Sequence, residues 1–120
     1  MVFRLVTVFI LLVVNTVPLH AAESLEQTIN FLLHRIETAD ATFIRNGKEH
    51  TPGEAVEHVR AKYQHFKGQI KTPDDFIRLA ATKSLLTGQP YLVRTHDGKE
   101  IQLNVWLSNA LREHERDLAK

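Results

Sequence analysis

The sequence predicts an α+β domain: about four helices packed on a small antiparallel sheet of two short hairpins, in a single compact unit. Three observations predict it. Apolar residues recur at helical spacing in four separate stretches. Asn46-Gly47 and Asp97-Gly98, dipeptides suited to tight turns, each lie between short runs of β-forming residues. Ser24, Thr51 and Thr72 each stand three residues before a Gln, Glu or Asp, the pattern of a side chain that caps a helix start.

The elements follow in order. Ser24 opens a first helix, on which Leu25, Ile29, Leu32, Leu33 and Ile36 share a face. Thr42–Arg45, the Asn46-Gly47 turn and the brief arm Lys48–His50 form the first hairpin. Thr51 caps a second helix with Pro52 in its first position. Ala55, Val56, Val59, Tyr63 and Phe66 are its apolar stripe, and Gly68 is expected to end it. Thr72-Pro73 starts a third helix that buries Phe76, Ile77, Leu79, Ala80 and Leu85 and closes at Gly88. Tyr91–Thr95 and Glu100–Leu103 flank the Asp97-Gly98 turn. Asn104 is expected to cap a last helix carrying Trp106, Leu107, Ala110, Leu111 and Leu118. Phe43, Val59, Tyr63, Phe76, Tyr91 and Trp106 are expected to share one core.

Residues 1–22 are set apart from this domain. Arg4 precedes the apolar run Leu5–Val14, Pro18 breaks it, and small residues follow. That is the layout of a secretory signal peptide. The run is shorter than the roughly 20 apolar residues of a membrane span, so no transmembrane segment is expected after cleavage. Cleavage after Ala21 fits best, because a cut after Ala22 would put His20 three residues before the bond. The domain then occupies 23–120, and the expected location is periplasmic or secreted. Removing 1–22 takes away Arg4 and no acidic residue, which equalises the 15 Lys+Arg and 14 Asp+Glu of the whole chain. No basic excess remains to neutralise phosphates, so a nucleic-acid partner is not expected. The chain has no cysteine. Disulfides, thiol nucleophiles and thiolate metal sites are thereby excluded.

The stretches "FIRNGKEHTPGEAVEHVRAKY" and "IKTPDDFIRLAATKSLLTGQPYLVR" resemble the small secreted bacterial proteins grouped as domain of unknown function 5329, the YfeK-like family. The resemblance runs from the first helix to Trp106-Leu107. It implies export to the periplasm and a compact, mostly helical α+β domain, and it implies no activity.

Glu54, His58 and Lys62 stand at i, i+4 and i+8 of the second helix. A carboxylate beside an imidazole can do acid–base work. The Glu-to-Lys charge order equally suits a solvated stripe, and that reading is preferred. His50, Glu54 and His58 would meet if the hairpin lay against the helix start, but the tight spacing of a zinc site is missing. Lys83 and Ser84 are adjacent on the expected third helix and so point about 100° apart, which leaves no nucleophile pair. Thr82, Lys83, Ser84, Thr87 and Gly88 read as its polar, fraying end. No catalytic residue, metal ligand set or cofactor signature is assigned. The expected function is a non-catalytic module of the cell envelope that binds a protein or small ligand. Arg45, Asn46, Glu54, His58 and Lys62 are its candidate contact surface. The alternatives are a small envelope hydrolase using Glu54 and His58, with or without a metal, and a folded stress or colloidal-stability protein with no specific site.

Overall fold

A computed structural model of the chain describes residues 7–12 and 23–120. Of the expected leader only 7–12 fall within that range, and the expected cleavage bond lies outside the described residues. No described helix is long and apolar enough to cross a membrane. The elements are α1 (Leu25–Glu37), β1 (Ala41–Arg45), β2 (Lys48–His50), α2 (Pro52–Phe66), α3 (Pro73–Ala80), β3 (Leu92–Thr95), β4 (Glu100–Gln102) and α4 (Leu103–Leu118). This is the expected α+β domain of four helices and an antiparallel sheet.

The three expected capping boxes all form. Ser24, Thr51 and Thr72 each accept from the backbone N–H three residues on, and Gln27, Glu54 and Asp75 return the bond to the cap. Asn46 (φ 53°) and Gly47 (φ 75°) carry the two positive φ angles that a two-residue hairpin turn demands. The two hairpins join through β1 and β3 to give the strand order β2-β1-β3-β4, antiparallel throughout. Phe43 pairs with Val93 across the centre, and both are buried under the helices. Arg94, next in line on the opposite face, reaches Glu49 at 2.5 Å and Glu100 at 2.9 Å. Ile29, Leu32 and Ile36 of α1, Val56 and Val59 of α2, Phe76 of α3, and Leu107 and Leu111 of α4 complete one core.

Four local expectations are corrected. Gly68 does not end α2; the helix stops at Phe66 and tightens into a 3-10 turn over Lys67–Gln69, which lets Ile70 reach the core. Asn104 does not cap α4. The Leu103 N–H bonds to the Tyr91 carbonyl at 2.8 Å, so sheet pairing runs straight into the helix and Gln102 takes the cap position. Tyr63 and Trp106 pack against the core half-buried, whereas Phe43, Val59, Phe76 and Tyr91 lie within it. The largest correction is in α3, which ends at Ala80 rather than near Gly88. The Thr82 hydroxyl takes the Ile77 carbonyl at 2.8 Å, competing with continuation of the helix. The chain then folds back on itself: Tyr91 N–H bonds to Thr82 O and Ser84 N–H to Gln89 O, with Gly88 at φ 72°. Leu85 consequently faces solvent instead of the core.

Candidate functional site

The loop that replaces the end of α3 closes one wall of a pocket. The other walls come from the end of β1, the middle of α2 and the start of β3. The pocket holds about 330 Å³ and is lined by Arg45, Asn46, His58, Lys62, Ser84, Leu85, Leu86 and Tyr91. A smaller cavity of about 30 Å³ adjoins it, sharing Arg45, His58 and Tyr91 and adding His50, Glu54 and the apolar side chains of Phe43 and Val59.

The polar groups form one network. Arg45 Nη1 lies against His58 Nδ1 and 3.2 Å from Nε2. His58 Nε2 meets the Tyr91 hydroxyl at 2.8 Å. Lys62 Nζ donates to that hydroxyl at 3.2 Å and to the Lys83 carbonyl at 2.7 Å. Asn46 Nδ2 donates to Ser84 Oγ at 3.2 Å, and Asn46 Oδ1 accepts from the Thr87 hydroxyl at 2.5 Å. Ser84 Oγ also accepts the N–H groups of Leu86 and Thr87.

The roles of donor and acceptor follow from this arrangement. Arg45 can only donate, so Nδ1 of a neutral His58 accepts and Nε2–H donates to Tyr91. The Tyr91 oxygen then accepts twice, from His58 and from Lys62, and its own proton has no partner in the network. Lys62 keeps a third N–H, and Ser84 keeps its hydroxyl proton. The pocket is therefore rich in donors. Among the described residues, neither Arg45 nor Lys62 makes an ion pair with a carboxylate.

Burial and neighbouring charges shift three groups of the network. Burial first, and then the charges of Arg45, Lys62 and His50, push His58 down to about 4. Burial, with Lys83 adding to it, lowers Lys62. Burial raises Tyr91. Because His58 takes a proton less readily folded than unfolded, its contribution is fully present above its ordinary pKa of about 6.5 and is lost as pH falls toward about 4. His58 is half-buried, so the contribution is discounted for solvent. Between pH 7 and pH 5 the native chain is expected to lose about 1 kcal/mol more stability than His58→Gln does. Urea unfolding of both at the two pH values measures it, and equal losses would refute the assignment.

Four of the five candidate residues, Arg45, Asn46, His58 and Lys62, come together here. Glu54 does not join the network. It caps α2 through Thr51, is well exposed, and lies 3.7 Å from His50 Nδ1. Its carboxyl is held below the usual range by the Thr51 N–H bond first. The preferred view of Glu54, His58 and Lys62 as a solvated stripe is corrected: Lys62 is only 8% exposed and His58 is half-buried. The polar run Thr82–Gly88 is not a frayed helix end either, since Ser84 is buried and anchors the loop. Tyr91, Ser84 and the Lys83 carbonyl were not expected in the site. Glu54 and His58 share no hydrogen bond, and none joins Ser84 to His58 or Lys62. Among the described residues no three His, Asp or Glu side chains are grouped so as to hold a metal ion.

Residues 23–115 match the profile of a family described as a family of unknown function, DUF5329. Over 67 residues the chain is 40% identical to an uncharacterized protein, YfeK, of Salmonella typhimurium strain LT2. That alignment covers 55% of this chain and 56% of the Salmonella protein, so the chain spans about half the length of the relative it matches. No solved structure matches the chain. The match across nearly the whole folded region means that the chain belongs to the family of unknown function DUF5329.

Proposed function

We propose that the chain is an exported domain of the cell envelope that binds, without catalysis, an acidic group on a small ligand in the Arg45–His58–Lys62–Tyr91 pocket. One observation carries the reading: two cationic side chains and two hydroxyls with spare protons line a concave site whose lining residues include no carboxylate. A site with surplus donors and positive charge is complementary to an acceptor-rich anion. At about 330 Å³ the pocket is at the small end of the roughly 300–1,000 Å³ typical of ligand sites. His58 supports the reading as a neutral spacer: it orients Tyr91 and brings no negative charge into the site.

Export is supported by the arginine, apolar run and small residues of 1–22. An intact mass from the envelope fraction that still included Met1–Leu19 would overturn it. The binding reading is tested by titrating inorganic phosphate into 15N-labelled protein spanning 23–120 at pH 7. Amide shifts are expected to cluster at Arg45, Asn46, His58, Ser84 and Tyr91, and to vanish in Arg45→Gln. An absence of saturable shifts at these residues would overturn it.

A further inference from the structure

We infer that the ligand is a monomeric anionic amphiphile, with its acidic head on Arg45, Lys62 and Tyr91 and its aliphatic chain along Leu85 and Leu86. This inference rests on the anion-binding reading above and adds the second half of the ligand. Leu85 is 66% exposed and Leu86 is 89% exposed, and both line the same pocket as the two cations. Within 23–120 the other exposed large apolar side chains are Val105 and Leu118, which belong to α4 and do not line the pocket. An adjacent exposed leucine pair at the rim of a cationic pocket is therefore a local feature, not a general property of the surface.

The leucines are also held in place. Ser84 Oγ receives the Leu86 and Thr87 N–H groups from within the loop and Asn46 Nδ2 from the hairpin. Gly88 N–H closes onto the Ser84 carbonyl at 2.8 Å. Thr87 ties the far side of the loop to Asn46. An ordered turn thus presents two apolar side chains outward, and covering them requires little new ordering of the backbone. Depth separates a monomer from a lipid still seated in a bilayer. Lys62 is 8% exposed and its ammonium is tied to Lys83 O and Tyr91 OH beneath the rim. An acidic head reaches it only by entering the pocket, which brings the attached chain against the leucines.

The test compares octyl phosphate, kept below its micelle concentration, with inorganic phosphate, using the amide shifts of the 23–120 protein. Octyl phosphate is expected to bind at least about ten-fold more tightly, since each methylene removed from water strengthens binding by about three- to four-fold. Octyl glucoside, which has the chain without the charge, is expected to leave the pocket amides unmoved. The double variant Leu85→Ser with Leu86→Ser changes only exposed side chains, and it is expected to bring octyl phosphate back to the affinity of inorganic phosphate. Equal affinities for the two phosphates in the native protein would overturn the amphiphile while leaving the anion site standing. Saturable binding of neither would sink both. Sedimentation with phosphatidylglycerol vesicles, in the absence of monomer binding, would replace the monomer with a membrane surface and so overturn the inference.

Discussion

Replacing Phe76 by alanine is expected to lower the unfolding free energy by about 3–5 kcal/mol. Phe76 is the largest fully buried side chain of the described residues, and its ring meets Tyr63 edge-to-face at 5.6 Å between centroids. Its helix is the reason the cost will be hard to relax away. α3 has eight residues, and Phe76, Ile77 and Ala80 are its buried side chains. A helix this short gains little from its own backbone, so packing holds it in place. The same helix touches α1, α2 and α4, so a loosened α3 disturbs packing against all three. No disulfide can take up the loss, because the chain has no cysteine. A domain of ordinary stability, about 5–15 kcal/mol, would lose a large share of it. Urea denaturation followed by far-UV circular dichroism measures the change. A loss below about 1 kcal/mol would show that the ring is not a core residue. Leu86→Ala, on an exposed side chain, serves as the near-neutral control.

The capping boxes and the first turn were legible because each is a local arrangement. Ser24, Thr51 and Thr72 need only the residue three positions on, and Asn46-Gly47 needs only its own backbone angles. The end of α3 was not legible. Leu85 lies eight residues after Ile77, a spacing that suits one continuing helix as well as it suits a loop. The choice was made by Thr82 capturing the Ile77 carbonyl and by Tyr91 pairing with Thr82, contacts whose outcome depends on where β3 lies. Asn104 failed for a similar reason: an Asn before an apolar run is a good cap, but the Leu103–Tyr91 bond had already fixed the start of α4.

The candidate site was half legible. Glu54, His58 and Lys62 form an i, i+4, i+8 row, and such a row rotates by about 40° per step on a 3.6-residue helix. Over two steps it swings from solvent to the core edge. Glu54 therefore stays outside, His58 lies at the margin, and Lys62 is buried. The signal was present in the sequence, because Lys62 is three residues after the buried Val59. Tyr91 is legible as a core residue from its strand, but its hydroxyl gives no sign of its partners, which come from α2 some thirty positions earlier.

Replacing Lys62 by methionine is expected to weaken phosphate binding at least about ten-fold while leaving stability unchanged or slightly raised. The two effects have separate origins. Lys62 is 8% exposed as a residue, and its ammonium, with no carboxylate beside it among the described residues, has been largely taken out of water without a compensating charge. Its pKa is lowered from the ordinary value, chiefly by that burial. Methionine keeps the length of the apolar stem, removes the buried charge and fills the same space. Against that gain stand two lost donations, to Lys83 O and Tyr91 OH. Each comes from a charged donor and is worth about 1.5–3 kcal/mol, which the relief of a buried charge, several kcal/mol, offsets. Tyr91 still receives the His58 N–H, so its oxygen is not left bare. Binding has no such compensation, because the charge facing an anion is gone. Urea unfolding and phosphate titration of the same variant separate the two. A destabilisation well above about 1 kcal/mol with unchanged phosphate affinity would make Lys62 a tether for the Lys83 loop and remove it from the binding site.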